Sequence, residues 1–250
     1  SGEAMSIGER TPCAILDPAA AARISVAEAV TNIISSGIRN LSDLKLSANW
    51  MGAPDRLSGD QDLHQAVKTI GMDLCPKWGI AIPVGKDSLS MATDWRTGDK
   101  DSSVISPLSL VVSAFSALED INIAITPQLK VDPTAVLLFI DLAKGNTRLG
   151  GSIASQVNQV LMGNPPDIEC VEEMPFLVNK IHDLLSNKKI LAYHDRSDGG
   201  LITTISEMAF AGRVGVDIKL DSLMCHGKNL IDILFNEELG VVIQVQKEHL

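Results

Sequence analysis

The segment at residues 194–200, with the sequence HDRSDGG, places two carboxylates, a hydroxyl and two glycines between two apolar stretches. The residues before it predict a short buried strand, and those after it carry apolar side chains at helical spacing. In such a strand–turn–helix unit, glycine N–H groups and the helix start can approach anionic oxygens, while Asp195 or Asp198 binds a cation such as Mg²⁺. A helix-capping turn, with Ser197 or Asp198 as the cap, fits the same residues equally well.

Glu28 and Asn32 lie four residues apart in a predicted helix at residues 19–34, and this spacing places them on one face. Their oxygens suit Mg²⁺, and the alanines around them would make an unpaired buried carboxylate costly. A polar pair on a solvated face is the competing interpretation. Asp195 could complete a metal site if the fold brings its turn to this helix.

The segment at residues 85–88, with the sequence GKDS, follows an apolar predicted strand. It is not a P-loop, because five residues separate Gly79 from Gly85 and an aspartate follows Lys86. Lys86 as a point charge and Ser88 as a hydrogen-bond donor would still suit a phosphorylated ligand. A tight turn with an exposed lysine is the alternative.

The composition describes a chain that can bury a large core and that carries a strong negative charge. Of its 250 residues, 45% are hydrophobic and 21% are charged, and the formal net charge is -10. This charge argues against a broad nucleic-acid-binding surface and favours a small ligand. No apolar run is long enough to cross a bilayer and no signal-peptide core is present, so the sequence predicts a cytoplasmic protein.

The residues that could act as nucleophiles, acids or bases give weaker signals. The cysteines lie far apart with no Cys-x-x-Cys pair, and are predicted to be reduced and without zinc: Cys13, Cys75, Cys170 and Cys225. No Ser or Cys has the context of an activated nucleophile, so no catalytic residue is assigned. His194 could act as an acid or base, although a hydrogen-bonded structural histidine is favoured.

Hydrophobic periodicity divides the chain near residues 127–133, where prolines and charges interrupt the apolar pattern. The first part, residues 1–132, is predicted to contain helices at 19–34 and 60–74, a hairpin or exposed loop at 93–103, and strands at 44–50, 80–84 and 108–118. The second part, residues 133–250, should alternate strand, helix, helix, strand, helix, strand, helix and strand.

Two segments of the second part carry further predictions. A glycine-rich turn at residues 145–152 precedes a predicted helix at 153–162, and its glycines are typical of packing as much as of binding. The last predicted strand, at residues 240–245, would need another element to cover it, so the chain is expected to be cut from something longer.

Short motifs spread over nearly the whole chain occur in an order that resembles one known family. They are GEAM and GERTP near the N-terminus, EAVTN from Glu28, SANWM from Ser47, GKDSLSM from Gly85, HDRSDGG from His194 and FNEE from Phe235. The chain resembles the second synthetase half of phosphoribosylformylglycinamidine synthase in its large, single-chain form. That family belongs to the aminoimidazole-ribonucleotide-synthetase-like superfamily.

The resemblance implies an α/β (α+β) fold with two portions. An N-terminal α/β portion would pair with a similar unit through a shared β-barrel, and a C-terminal α/β portion would be truncated. The first synthetase half and the glutaminase domain, which are the implied protein partners, would lie outside this chain. The isolated chain is therefore expected to be inactive and to form a homo-oligomer.

The implied reaction is an ATP-dependent carbon–nitrogen ligation in de novo purine biosynthesis. Formylglycinamide ribonucleotide would be converted to formylglycinamidine ribonucleotide, with glutamine as the amido donor. ATP would activate the substrate amide oxygen as an iminophosphate, and ammonia would displace the phosphate, which requires no nucleophile from the enzyme. The implied cofactors are ATP or ADP and Mg²⁺.

The resemblance also implies roles for individual residues. The positions that match Mg²⁺ ligands of the family are Glu28, Asn32 and Asp195. Ser197 matches a nucleotide contact. The segment that would reach ATP and substrate supplies Gly85 for the nucleotide, and Lys86 and Ser88 for the substrate.

Two other hypotheses remain open. The chain could belong to another enzyme of the superfamily, such as a selenophosphate synthetase, a thiamine-phosphate kinase or a hydrogenase-maturation protein. A selenophosphate synthetase would require a reactive cysteine near its N-terminus, and Cys13 is a poor candidate because its surroundings match the synthase. The chain could also be a non-catalytic nucleotide-binding module.

Overall fold

The computed structural model describes residues 1–56, 59–221, 223–224 and 228–249. The strands run in chain order as β1 (Gly2–Glu9), β2 (Lys45–Met51), β3 (Ala81–Ser88), β4 (Ala92–Thr97), β5 (Lys100–Ile105), β6 (Ser109–Leu118), β7 (Ala135–Asp141), β8 (Ile190–Asp195) and β9 (Gly240–Gln246). The helices are α1 (Pro18–Ile33), α2 (Gly59–Lys68), α3 (Cys75–Trp78), α4 (Ile153–Val157), α5 (Glu173–Ser186), α6 (Gly200–Gly212) and α7 (Leu230–Phe235).

Helix α1 is the central element of the first part of the chain. Asp17 caps it by accepting hydrogen bonds from the N–H groups of Ala19 and Ala20, and Pro18 occupies the first turn, where no N–H is needed. Its alanines allow a close approach to β1. A Cβ on Gly8 of β1 would lie 2.1 Å from the carbonyl oxygen of Ser25, so only glycine fits there.

The first sheet has the strand order β1-β6-β2-β3, with antiparallel β1–β6 and β6–β2 pairs and a parallel β2–β3 pair. The sheet is open, and β3 is an exposed edge strand. Helix α1 packs on one face, whereas the other face exposes Met5, Ile7 and Phe115 by 66%, 53% and 42%. We call these three side chains the outer apolar face.

Several predicted elements of the first part are confirmed and one is extended. The predicted helix at 60–74 is α2 followed by a π-helical stretch, Thr69–Leu74, and the polar segment at 93–103 forms the β4–β5 hairpin. Residues 85–88 were predicted to follow the strand at 80–84, with a tight turn as the alternative, but they continue β3 and pair with β2 through residue 88. Ladder hydrogen bonds with β2 therefore outweigh the local turn preference of glycine and aspartate.

The second sheet has the order β7-β9-β8 and is antiparallel throughout. The predicted helix at 153–162 is wrong in length, because α4 ends at Val157 and Gln159 adopts a positive φ of 55°. The strand expected between α6 and α7 is also wrong for the part that the structure describes there. Val214 and Ile218 pack instead against the buried cluster at Leu201, so their burial requires no strand pairing.

The largest buried cluster draws residues from both parts of the chain, including Ile24 and Leu46 from the first and Ile181 and Ile243 from the second. Residues 127–133 form neither helix nor strand. The division into residues 1–132 and 133–250 stays a prediction. Among the described helices, none is both long and apolar enough to cross a membrane. Cys225 lies outside the described residues, and the other three cysteines are free thiols.

Candidate functional site

The candidate site lies where the end of β1, helix α1 and the turn after β8 meet. The hydroxyl of Tyr193 in β8 donates a hydrogen bond of 2.6 Å to the carbonyl oxygen of Thr31, which ties β8 to α1. The N–H of Glu9 at the end of β1 donates a 2.8 Å bond to Glu28 Oε2. These two bonds bring Glu28 and Asp195, which are distant in sequence, into one site.

Arg10 is the centre of this site, although the sequence did not single it out. Only 4% of its side chain is exposed. Its guanidinium lies 3.2 Å from Glu28 and 4.0 Å from Glu237, and it forms a direct ion pair with Asp198. We call Arg10, Glu28, Asp195, Asp198 and Glu237 the Arg10 cluster. The signal available in the sequence was the GERTP motif, in which Arg10 directly follows Glu9, the last residue of β1.

The pKa of Glu28 shows how strongly these charges interact. Burial raises the pKa of Glu28 to about 7, Arg10 and the Glu9 N–H oppose that rise, and Asp195 and Asp198 add to it. Burial works against the charge on Arg10, yet Glu28, Glu237 and Asp198 hold its pKa above the ordinary value. Three carboxylates therefore face one guanidinium and a fourth, Asp195, acts on Glu28, so the cluster favours an additional cation.

Glu237 connects the cluster to both glycine-rich turns. Its Oε1 accepts hydrogen bonds of 2.8 Å from the N–H groups of Ile153 and Gly199. Burial raises the pKa of Glu237, while Arg10 and these two N–H groups lower it. A Cβ on Gly200 would lie 2.6 Å from the carbonyl oxygen of Leu234, so the turn requires glycine at that close approach. Glu237 thus fixes the turn that carries Ser197 and Asp198.

The capping interpretation of the HDRSDGG segment is not what the structure shows. The N-cap of α6 is Gly199, with φ of 78° and no side-chain capping bond. Asp198 instead pairs with Arg10, because a charged guanidinium is a stronger hydrogen-bond partner for a carboxylate than a neutral backbone amide is. Ser197 is half-buried, and its carbonyl oxygen accepts a 3.0 Å bond from the Gly200 N–H.

The remaining charged residues of this segment have partners of their own. His194 lies 3.3 Å from Asp195 Oδ1 and 2.8 Å from Glu207 Oε2. Burial lowers the pKa of His194, but the two carboxylates outweigh it and the net shift is upward. Arg196 is buried and pairs at 2.9 Å with Asp141, and burial lowers its pKa. Arg196 therefore stabilises the second sheet.

The predicted metal residues fit a cation in donor type and in charge. Glu28 and Asp195 supply carboxylate oxygens within one electrostatic cluster, and Asn32 lies one helical turn after Glu28 with an exposed side chain. Within the described ranges, no three His, Cys, Asp or Glu side chains are placed to hold a metal alone. The amide of Asn32 or a ligand phosphate would have to complete the set.

The predicted Lys86 and Ser88 pair lies apart from this cluster. Lys86 Nζ donates a 2.7 Å bond to Ser88 Oγ on the exposed edge strand β3. A single row of paired residues, Glu9, Val111, Asn49 and Lys86, crosses the sheet, so Lys86 lies three strand spacings, about 14 Å, from Glu9. The structure thus has two groups of polar residues at one end of the sheet.

The structure shows two features of the β2–β3 edge of the sheet that the sequence did not predict. A Cβ on Gly85 would lie 2.5 Å from the carbonyl oxygen of Ala48, so glycine is required by strand packing whatever it binds. Asn49, beside Lys86 in the sheet, has a buried Oδ1 with no hydrogen-bond partner. Asn49 belongs to the SANWM motif, which was the only sequence signal for it.

We expect Glu28→Gln to flatten the pH dependence of stability between pH 4.5 and 7. Because the folded-state pKa of about 7 exceeds the ordinary 4.5, the folded state binds this proton more tightly. Stability from this group is then greatest below pH 4.5 and falls as the pH rises to 7, by about 3 kcal/mol. Urea denaturation in EDTA at a series of pH values measures the slope.

Exposed Glu119→Gln is the matched control and should keep the wild-type slope. The pKa values of Glu237 and His194 are also raised in the folded protein, so both groups lower stability as the pH rises in every variant. The quantity to compare is therefore the difference in slope between each variant and wild type. Equal slopes for Glu28→Gln and wild type would show that the Glu28 carboxyl titrates normally.

Two family models and several solved structures match this chain. Residues 1–117 match the family model described as FGAR-AT PurM_N-like domain, and residues 139–250 match AIR synthase related protein, C-terminal domain. T. maritima PurL complexed with FGAR matches 98% of this chain at 15% identity and a TM-score of 0.74. E. coli HypE, a hydrogenase maturation protein, matches 99% at 16% identity and a TM-score of 0.62.

The share of each relative that is covered differs. This chain spans 38% of the T. maritima PurL chain and 72% of the E. coli HypE chain. At these identities the solved structures establish the fold, while the two family models follow each other along the chain and each match one part of it. The chain therefore consists of a part that matches the FGAR-AT PurM_N-like domain followed by a part that matches the AIR synthase related C-terminal domain, in an AIR-synthase-like fold.

Proposed function

We propose that this chain is the second synthetase half of a phosphoribosylformylglycinamidine synthase. The reaction would convert formylglycinamide ribonucleotide to formylglycinamidine ribonucleotide at the expense of ATP, with glutamine as the amido donor. The observation that carries the proposal is the Arg10 cluster, in which Glu28 of α1 and Asp195 of β8 share one electrostatic site. Related structures support it, since T. maritima PurL has been solved with FGAR, with AMPPCP and with ATP.

In this proposal the Arg10 cluster binds the phosphates of a nucleotide. Mg²⁺, when bound, would neutralise charge on the phosphate oxygens. Glu28, Asn32 and Asp195 would hold the cation, and Ser197 would donate to a phosphate oxygen. Glu237 keeps the glycine turn in place through its bonds to Ile153 and Gly199.

The second polar group would bind the reacting molecules. Lys86 and Ser88 would hold the phosphate of formylglycinamide ribonucleotide, and Gly85 would let ATP approach the strand. Positioning and charge stabilisation supply most of the catalysis in phosphoryl transfer. Because the chain spans 38% of the matched PurL chain, we propose that the isolated chain is inactive without the first synthetase half and the glutaminase domain. The cytoplasmic location stays a prediction.

The alternative is another ATP-using enzyme of the superfamily, and the match to HypE is the observation that favours it. This chain covers a larger share of E. coli HypE than of PurL. Binding of formylglycinamide ribonucleotide distinguishes the two, because only the synthase requires a site for that substrate.

We expect Glu28→Gln and Asp195→Asn each to weaken MgADP binding by about 10–100-fold while the fold is kept. Each change preserves side-chain size but removes a charge that a hard cation prefers. Thermal melts and calorimetric titration with MgADP measure the effect, because a retained ligand stabilises the protein by mass action. Formylglycinamide ribonucleotide is then titrated into the wild-type chain.

Asp183→Asn, an exposed aspartate on α5, is the matched control and should bind MgADP as the wild type does. Wild-type affinity in either variant of the Arg10 cluster would remove that residue from the metal site. Binding of MgADP without any binding of formylglycinamide ribonucleotide would favour the alternative enzyme.

A further inference from the structure

The ion pair between Arg10 and Asp198 joins a buried cation to an exposed anion. Arg10 is 4% exposed and Asp198 is 57% exposed. The other two carboxylates that face Arg10 are much less exposed, with Glu28 at 12% and Glu237 at 2%. Asp198 is therefore the partner that lies between the guanidinium and solvent.

The guanidinium has hydrogen-bonding capacity that this arrangement does not use. Arg10 Nε is buried and has no hydrogen-bond partner. A buried donor without a partner costs free energy, and a planar guanidinium matches the paired oxygens of a phosphate. Asp198 uses a single contact to Nη1, so a phosphate in its place could bind Nη1 and Nη2 through two oxygens.

The position of Asp198 also carries an electrostatic cost. Asp198 is one of the negative groups that raise the pKa values of both Glu28 and Glu237. If Asp198 moved into solvent, this repulsion would be relieved. A phosphate that arrived with its own cation would then replace one carboxylate at Arg10 without adding the same negative charge.

We propose that Asp198 occupies the place of a ligand phosphate and leaves Arg10 when a nucleoside diphosphate or triphosphate binds with its metal. Arg10 then contacts the terminal phosphate. In the ligand-free protein Asp198 pairs with Arg10, so the ligand must displace Asp198 in order to bind. This inference rests on the proposed nucleotide site and adds a residue that binds the phosphate and a residue that opposes binding.

The test uses calorimetric titration of MgADP and of magnesium pyrophosphate into wild type, Asp198→Asn, Arg10→Lys and the double variant. Removing the competing carboxylate should tighten binding of both probes by at least about fivefold in Asp198→Asn. The gain should be absent in the double variant, because lysine does not offer the planar pair of donors. Asp198→Ser repeats the charge removal with a different side chain.

The outcomes separate this inference from the proposed function. If the wild type binds MgADP and neither Asp198 variant binds it more tightly, the exchange is overturned while the nucleotide site stands. Weaker binding in both Asp198 variants would also overturn it and would make Asp198 part of the binding set. If no variant binds MgADP, the inference and the proposed nucleotide site both fail.

Discussion

Arg148→Met should lower the free energy of unfolding by about 3–5 kcal/mol, the cost of leaving a buried carboxylate without its partner. Glu238 is 0% exposed and accepts bonds from Arg148 Nε at 2.6 Å and Nη2 at 2.8 Å. The methionine side chain fills much of the arginine volume but offers no donor, so that of these donors only the backbone N–H of residue 148 remains, at 3.0 Å from Glu238 Oε1. Urea denaturation followed by circular dichroism gives the change in unfolding free energy.

Lys144→Met is the matched control, since Lys144 also pairs with a glutamate, Glu173, but on the protein surface. It should change stability little, because exposed ion pairs contribute little. Adding Glu238→Gln to Arg148→Met should recover part of the loss by removing the unpaired charge. A loss in Arg148→Met no larger than that of the control would show that solvent reaches Glu238 in the variant.

Phe115→Asp should prevent the self-association that we expect of the isolated chain. The outer apolar face places Met5 directly beside Phe115 in the β1–β6 pair, with Ile7 two residues along. Burying such side chains between two sheets would favour a homo-oligomer, and a charge at the centre would oppose it. We expect the dissociation constant to rise by about 30-fold or more. Sedimentation velocity over a range of concentrations measures it.

Phe176→Asp is the matched control, because Phe176 is also exposed but lies on α5, outside the first sheet. It should leave the association unchanged. A wild-type chain that stays monomeric at every concentration, or equal association of the two variants, would show that the outer apolar face does not mediate self-association.

Local sequence patterns predicted most elements because their causes are local. The cap at Asp17 and the alanines after it determine α1, and the spacing of Glu28 and Asn32 on that helix follows from its geometry. Lys86 and Ser88 also share one face of β3, and the segment for which a tight turn was the alternative proved to be strand. Pairing with a distant strand decided that outcome.

The Arg10 cluster could not be predicted in full because it depends on contacts between distant segments. A sequence gives no direct sign that Arg10 and Glu237 are buried, since charged residues are mostly exposed. Each buried charge is paired with an opposite charge from another segment. The three segments, which meet only in the fold, are the end of β1, the turn after β8 and the residues before β9. Asn49 was missed for the same reason, because its neighbour Lys86 belongs to another strand.

The central place of β9 in the second sheet determines the order in which that sheet can form. Strands β7 and β8 do not pair with each other, and both use β9 as their partner, with Asp141 opposite Gly240 and Asp195 opposite Val241. During synthesis, β7 and β8 therefore leave the ribosome before any ladder partner exists for them. Closing the long loop to β9 costs chain entropy before the pairing is gained, so this sheet should form late and slowly. Until then, the apolar β7 presents two unpaired edges, and this is the period in which the chain is most prone to aggregate.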